Sequence, residues 1–336
     1  MRADAPTISP HDGKFIRRTA RACEPRHTGR AFLLARPRVG YSPVMNDAPA
    51  STASSGPVLA FGGPYGNLEA TTAVLEAARQ RGIAPGNILC TGDVVAYCAD
   101  PQAVVDLLRE AGVRVVMGNC EESLADGVAD CGCGFSAESA CAVLSNQWYP
   151  FVDRHIDADS RAWMRALPRR IDLVIGGRRL AAIHGGVTQI NRFVFATSDD
   201  AIAEDLAVAD CDGVIAGHCG LPFTRVIDGR LWHTAGGVGM PANDGTPRAW
   251  FSVLTPTDTG LAIAHHALDY DHTTAARKMR ASGLPEGYAA ALETGRWPSC
   301  DILTPRELQR VGQRLEPAAL QWSTTNARAV RWPHVA

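Results

Sequence analysis

Apolar and polar positions alternate along residues 58–117 in a way that predicts short buried strands separated by amphipathic helices. The predicted elements are a strand at 58–62, a helix at 68–81, a strand at 88–91, a helix at 101–110 and a strand at 113–117. The second helix opens with Pro101, a residue that is favoured in the first helical turn. This β-α-β-α-β order indicates a parallel half-sheet whose functional loops lie at the carboxyl ends of the strands.

The second half of the chain adds hairpins to this pattern. Helices are predicted at 137–147, 160–166 and 201–207, a strand at 213–216, hairpins at 170–183 and 223–233, and an antiparallel pair at 250–254 and 261–265. The order of elements predicts an α/β fold with two packed mixed sheets flanked by helices, a four-layer αββα sandwich.

Three segments differ in composition. Residues 1–56 are rich in Arg, Pro, Ser and Ala, and we expect either a disordered leader or a start codon placed too far upstream, with Met45 as the natural start. Residues 57–268 are predicted to form the main domain. Residues 269–336 are predicted to form a helical tail, with two or three helices from about residue 273, that covers a sheet edge or forms a dimer.

Composition and charge narrow the class of protein. The 336 residues are 46% apolar, which is enough for a full core, and the formal net charge of −2 gives no case for binding nucleic acid or a membrane surface. The chain has no apolar run long enough to span a bilayer and no export signal. Ten cysteines in such a chain fit a reducing compartment, so we expect a cytoplasmic protein.

Four potential metal ligands follow four short apolar runs, each beside a glycine. They are Asp93 after Gly92, Asn119 after Gly118, His184 before Gly185 and His218 after Gly217. If these runs are strands, the loops at their ends could bring two oxygen and two nitrogen donors together. That mixture suits one divalent transition metal ion such as Fe, Mn or Zn and does not suit Ca.

These motifs resemble those of the calcineurin-like metallophosphoesterases, and most closely the small bacterial phosphodiesterase and diadenosine-tetraphosphatase-like branch. Members of the family carry Asp-x-His, Gly-Asp, Gly-Asn-His, His and Gly-His-x-His in this order. The matching stretches here are Gly63-Pro64-Tyr65, Gly92-Asp93, Gly118-Asn119-Cys120, His184 and Gly217-His218-Cys219-Gly220. The resemblance covers about residues 57–296 and implies the same layered fold.

The departures from the family pattern affect one of its two metals. The resemblance implies that Gly63, Tyr65 and Gly220 stand where the ligands private to the first metal should be. The complete second set, Asp93, Asn119, His184 and His218, is retained. We therefore predict a single metal ion on a scaffold that is built for two.

Cys120 stands where the family has its general-acid histidine. A thiol near a metal and backbone amides is expected to have a lowered pKa, so Cys120 is predicted to be a fifth metal ligand or, with Asp93, a catalytic residue. Asn67, Tyr97 and Arg192 are predicted to bind substrate. The Cys131-x-Cys133 pair could be a loop feature without function, a redox pair or a soft-metal ligand pair.

Two functions remain open at this point. The first is hydrolysis of a phosphate ester or anhydride in a small phosphorylated molecule, by an enzyme that could also form a homo-oligomer. The second is a repurposed scaffold, namely a non-hydrolytic or redox enzyme with a thiolate-rich metal site, or a metal-binding regulatory protein. Fold alone does not decide between them.

Overall fold

The computed structural model describes residues 52–54, 56–136, 138–323 and 327–330. Most of the predicted leader, including Met45, therefore lies outside the described residues. The strands are β1 Thr52–Ser54, β2 Val58–Phe61, β3 Ile88–Cys90, β4 Arg114–Val115, β5 Arg170–Ile175, β6 Arg178–Ile183, β7 Gly213–Ala216, β8 Phe223–Ile227, β9 Arg230–Thr234, β10 Ala249–Thr257, β11 Gly260–Leu268, β12 Ala319–Ser323 and β13 Ala327–Val330. The helices are α1 Leu68–Gln80, α2 Pro101–Glu110, α3 Asn119–Asp126, α4 Ala140–His155, α5 Ala158–Ala166, α6 Asp199–Val208, α7 His272–Ala281, α8 Glu286–Thr294 and α9 Pro305–Leu308.

The strands form two mixed sheets, as predicted. One has the order β1-β5-β6-β7-β9-β8 and the other the order β13-β12-β11-β10-β2-β3-β4. Strands β2, β3 and β4 run parallel to one another, and so do β6, β7 and β9. The carboxyl ends of both parallel sets carry the loops that hold the predicted ligands.

Alternation along β2 shows how the layers are built. Val58 and Ala60 pack between the two sheets, whereas Leu59 and Phe61 face the helical layer that includes α1 and α2. Helix α6 covers the opposite sheet, where Ile202 and Leu206 pack against the outward side of β6 and β7. The four-layer αββα sandwich is confirmed.

Several elements differ from the prediction. Helix α4 begins after Ser139, whose hydroxyl accepts from the Ala142 amide, and continues to His155, well beyond residue 147. Helix α3 was not predicted, because the glycine-rich sequence around it suggested a loop. The segment after residue 268 contains α7, α8 and α9 but also β12 and β13, which extend the second sheet. It is therefore not purely helical.

Candidate metal centre

The predicted ligands lie at the ends of four strands. Asp93 follows β3, Asn119 follows β4, His184 follows β6 and His218 follows β7. Asp93 and His218 adopt left-handed backbone conformations, with φ of 54° and 60°, which are uncommon for non-glycine residues and occur often at functional sites. Gly92, at φ 93°, has no room for a side chain, since an added Cβ would lie 2.8 Å from Nδ1 of His184.

Four donor atoms converge on one point. His184 Nε2 lies 3.0 Å from Asn119 Oδ1, 3.0 Å from His218 Nδ1 and 3.2 Å from Asp93 Oδ2. His218 Nδ1 is 3.8 Å from Asp93 Oδ2. In the described part of the chain, Asp93, His184 and His218 form the group of His, Cys, Asp or Glu side chains whose ligand atoms all lie within 4.8 Å of one another.

Neighbouring hydrogen bonds orient two of these ligands. Nδ1 of His184 donates to the Thr91 carbonyl at 2.6 Å, which leaves the Nε2 lone pair facing the site. Nδ2 of Asn119 donates to the Cys131 carbonyl at 2.7 Å, which directs the amide oxygen inward. A proton on His184 Nε2, or a cation among the four atoms, relieves the repulsion between lone pairs that are aimed at one another in this way. The donor set therefore fits a divalent metal ion.

The pKa shifts of Asp93, His184 and His218 show how the protein distributes charge among these ligands. Burial raises the pKa of the Asp93 carboxyl, but the imidazoles of His184 and His218 outweigh burial and hold that pKa below its usual range. Burial lowers the pKa of His218, and the adjacent His184 lowers it further. Burial lowers the pKa of His184 as well, but the Asp93 carboxylate and the Thr91 carbonyl outweigh burial and raise that pKa. The protein groups thus favour a positive charge on His184 beside Asp93, and a metal ion bound there would take the place of that proton.

The Tyr65 ring occupies the space beside the two glycines that replace family ligands. An added Cβ at Gly63 would lie 2.2 Å from Cζ of Tyr65, and one at Gly220 would lie 3.6 Å from the Tyr65 hydroxyl. Tyr65 is 5% exposed. These three positions therefore pack against one another and present one phenol hydroxyl where the family pattern has a carboxylate and two imidazoles.

Glu121 is a site residue that the sequence reasoning missed. Its buried carboxylate accepts hydrogen bonds from the backbone amides of Asp93, Val94 and Gly118 at 2.8, 2.8 and 2.9 Å. It thereby joins the loop after β3 to the start of α3. Glu121 accepts from the amide of the N-cap residue Gly118, which is one half of a capping box, and Gly118 has no side chain to form the other half. The sequence therefore carries only a weak signal for this residue.

The environment of Cys120 differs from the prediction. Its hydrogen bond with Cys133 lowers the pKa of the thiol, but burial and the Asp93 carboxylate outweigh that bond and raise the pKa well above the usual range. Cys120 is also outside the 4.8 Å ligand group. The protein groups around Cys120 by themselves favour the neutral thiol, and the lowered pKa expected beside a metal stays a prediction.

Cys131 and Cys133 lie close to the centre. Their sulfur atoms are 2.7 Å apart, and the Cys133 sulfur accepts from Asn119 Nδ2 at 3.3 Å. The hydrogen bond with Cys133 raises the pKa of Cys131, the hydrogen bond with Cys120 raises the pKa of Cys133, and burial raises both further. Their contact with Asn119 indicates a role in supporting that ligand.

A cleft with an empty volume of about 700 Å³, open mouth included, leads to the centre and is bordered by Asp93 and His218. Tyr97 lines it, as expected of a substrate-binding residue. Asn67 does not line it, because its side chain caps α1 through the Ala70 amide and donates to the Gly239 carbonyl. Arg192 does not line it either, because its guanidinium is paired with Glu204 and Asp205.

Comparison with known proteins identifies the family. The model of the calcineurin-like phosphoesterase superfamily domain matches residues 66–258, more than half of the chain. The uncharacterized protein MJ0912 of Methanocaldococcus jannaschii is 27% identical over 250 residues, which cover 69% of this chain and 95% of that protein.

Two solved structures share the fold. A metallophosphoesterase from Sphaerobacter thermophilus has a TM-score of 0.57 at 22% identity, covering 71% of this chain and 98% of its own. The hypothetical protein PH1004 from Pyrococcus horikoshii OT3 has a TM-score of 0.59 at 15% identity, covering 72% and 99%. In the described residues no helix has the length and apolar character that a membrane crossing demands. The chain belongs to the calcineurin-like phosphoesterase superfamily, whose members use divalent metals to hydrolyse phosphoesters.

Proposed function

We propose that this protein hydrolyses phosphoesters with one divalent metal ion held by Asp93, Asn119, His184 and His218. The observation that carries the proposal is the convergence of four oriented donor atoms within hydrogen-bonding distance of His184 Nε2. The mixed oxygen and nitrogen donors favour Fe, Mn or Zn. Bound there, the ion would supply Lewis acidity to a phosphoryl oxygen and to an attacking water.

The packing of Tyr65 supports a single ion. The ring lies against Gly63 and Gly220, so the space beside the retained ligands holds aromatic carbon rather than three further donors. Asp93, which in the two-metal pattern bridges both ions, then serves one ion only. Its second oxygen accepts from the Cys120 amide at 3.3 Å.

The residues of the centre divide into two roles in this proposal. Asp93, Asn119 and the two histidines fix the ion, while Tyr97 contacts the substrate. The neutral, buried Cys120 does not support the predicted role as a ligand or catalytic thiol. The backbone amide at this position, which any residue would supply, donates to Asp93 and helps to hold it.

The alternative of a thiolate-rich metal or redox centre is less well supported. The group of converging ligand atoms includes no cysteine. A coloured, iron-containing protein whose spectrum changes in Cys120→Ser, without any phosphoesterase turnover, would favour this alternative.

Metal analysis of anaerobically purified protein tests the proposal. We expect about one Fe, Mn or Zn ion per chain, together with metal-dependent hydrolysis of bis(4-nitrophenyl) phosphate. His184→Ala should lose both the ion and the turnover, and the exposed His155→Ala should keep both. Two ions per chain would contradict the single-ion centre. Metal-loaded protein without turnover on any phosphoester would contradict the proposed activity.

A further inference from the structure

The tyrosine hydroxyls in the described part of the chain fall into two groups. The hydroxyl of Tyr149 donates to the Val128 carbonyl at 2.8 Å, and the hydroxyl of Tyr270 accepts from the Asn67 amide at 3.3 Å. The other described tyrosines line the cleft beside the metal centre, and they are Tyr65, Tyr97 and Tyr288. Among the described residues, the hydroxyls of these three have no hydrogen-bond partner. Because phenol groups that are largely buried normally have a partner, these hydroxyls are available to a ligand.

Tyr65 is held in place by its surroundings. Its backbone has a φ of 52°, a left-handed conformation that is uncommon for non-glycine residues and frequent at functional sites. Its ring lies 4.8 Å from that of Tyr97, and an added Cβ at Gly237 would lie 3.4 Å from its Cε2 atom. An added Cβ at Gly220, which lines the cleft, would lie 3.6 Å from its hydroxyl oxygen. The hydroxyl is therefore a fixed donor that needs little reorganisation when a ligand binds.

Other side-chain donors of the cleft are absent or already engaged. None of the described residues that line it is a lysine or an arginine. The Trp297 indole donates from Nε1 to the Pro241 carbonyl at 2.7 Å. The Ser299 hydroxyl is in contact with the Cys141 sulfur at 3.5 Å and accepts from the Asp301 amide at 3.2 Å. The phenol hydroxyls are thus the donors that remain for the oxygens of a bound anion.

From these observations we infer that Tyr65 is a catalytic residue whose hydroxyl donates a hydrogen bond to a phosphoryl oxygen of the substrate. The inference rests on the proposed function and adds a residue to it. The hydroxyl shares the cleft with Asp93 and His218 and stands where the family pattern has further ligands. A neutral donor in this position stabilises negative charge on the phosphoryl oxygens, and no proton is transferred.

The substitution Tyr65→Phe tests this inference because it removes the hydroxyl and keeps the ring. Since that hydroxyl has no partner in the described residues, the melting temperature and the metal content should match those of the wild type. The affinity of the full-length, metal-loaded protein for inorganic phosphate, measured by isothermal titration, should fall about tenfold. The value of kcat/KM for bis(4-nitrophenyl) phosphate should fall by about 10- to 100-fold.

Tyr149 provides the matched control. It lies outside the cleft, and its hydroxyl has a protein partner in the Val128 carbonyl. Tyr149→Phe should therefore lower the melting temperature by about 2–4 °C and leave both phosphate affinity and kcat/KM unchanged. The same chemical change should thus affect ligand binding at one position and stability at the other.

The outcomes distinguish this inference from the proposed function. Unchanged phosphate affinity in Tyr65→Phe would overturn the inference even if the protein hydrolyses phosphoesters. Loss of the metal ion from this variant, or a melting temperature lowered as in Tyr149→Phe, would also overturn it, since the hydroxyl would then be a ligand or a structural group. Phosphate binding without turnover in the wild type would contradict the hydrolytic function, whereas a tenfold loss of affinity in Tyr65→Phe would still support the donor. A metal-loaded wild type that binds no phosphate would contradict both.

Discussion

Asn119 shows how single side chains are oriented at the metal centre. Its amide nitrogen donates to the Cys131 carbonyl and contacts the Cys133 sulfur, so only the oxygen remains for a metal. His184 is oriented in the same way by the Thr91 carbonyl. Removing such a supporting contact usually lowers metal affinity by roughly 10- to 100-fold. These contacts give Cys131 and Cys133 a structural reason to lie beside the site that does not require a catalytic thiol.

Glu121 provides a test at this scale. In Glu121→Gln, an NH₂ group would replace one of the two oxygens that accept backbone amides, leaving buried donors unpaired. We expect the free energy of unfolding to fall by roughly 2–4 kcal/mol and metal retention to fall with it. Urea denaturation and metal analysis measure the two effects.

The neighbouring residue supplies the matched control for this prediction. Glu122 is more exposed and pairs with Arg169 on the surface, so Glu122→Gln should change stability by less than about 1 kcal/mol. Equal effects of the two substitutions would show that the buried carboxylate does not hold the loops together.

Sequence patterns could identify the four candidate metal ligands but not the contacts that surround Arg192 and Cys120. Asp93, Asn119, His184 and His218 each follow an apolar run beside a glycine, and the strands bring them together as expected. The ion pairs of Arg192 with Glu204 and Asp205 span 12 and 13 residues, and only the folded loop reveals that they occupy the guanidinium. The pKa of Cys120 likewise depends on burial and on Cys133, which no local pattern encodes.

At the scale of elements, a polar link crosses the interface between the two sheets. His233 on β9 contacts the Ser252 hydroxyl of β10 at 2.7 Å, and Thr224 on β8 contacts His265 on β11 at 2.9 Å. The histidine rings lie 4.9 Å apart. The link sits in otherwise apolar packing, so both imidazoles must stay neutral in the folded state.

Stability should therefore depend on pH through His265. Burial, reinforced by His266, lowers the pKa of His265 to about 4 from 6.5. In the unfolded chain His265 binds a proton below about pH 6.5, whereas in the folded chain it binds one only below about pH 4. The free energy of unfolding therefore falls as the pH falls from 6.5 to 4. The loss attributable to His265 is on the order of 3 kcal/mol.

Denaturation curves at several pH values measure this loss. In His265→Gln, the free energy of unfolding should fall less steeply between pH 6.5 and about 4 than in the wild type. The substitution His155→Gln, at an exposed position, should leave this slope unchanged. The buried His233, whose pKa is also lowered by burial, should maintain part of the slope in both variants. An identical slope in His265→Gln and the wild type would show that His265 does not cause the pH dependence of stability.

The accuracy of the predicted helix and strand bounds varies along the chain. The regular β-α-β-α-β pattern placed α2 at its observed bounds and α1 within one residue of them, because amphipathic periodicity is strong there. Helix α4 was predicted too short since its interior includes Pro150, a residue that normally ends a helix. Strand β12 was missed because its pairing with β11 bridges a long sequence separation.

At the scale of the whole molecule, the segment after residue 268 is part of the core. Trp322 on β12 is 1% exposed, packs between the two sheets and donates from Nε1 to the Gly229 carbonyl at 3.0 Å. Helix α7 packs on α1, and Lys278 pairs with Glu69 and Asp100 at 2.7 and 2.8 Å. The division into a domain at 57–268 and a separate tail remains a prediction, and these contacts argue for joint folding.

Trp322→Ala tests this joint folding. Removal of a buried indole leaves a cavity and an unpaired carbonyl, so the free energy of unfolding should drop by about 3–5 kcal/mol in a single cooperative transition. The control Val208→Ala, at a position that is 58% exposed, should have little effect. A loss below about 1 kcal/mol, or two separate transitions, would show that the terminal segment is independent of the rest.

The contact between Tyr65 and its glycine neighbours would make the proposed one-ion arrangement difficult to reverse. Aspartate at Gly63 collides with the ring, and histidine at Tyr65 vacates volume without restoring a complete ligand set. Gly63 and Gly220 both have positive φ, so each restored side chain would add strain on the order of 1 kcal/mol. A second set of ligands would therefore need changes at all three positions, and replacement of the Tyr65 ring would have to come before a side chain could be placed at Gly63.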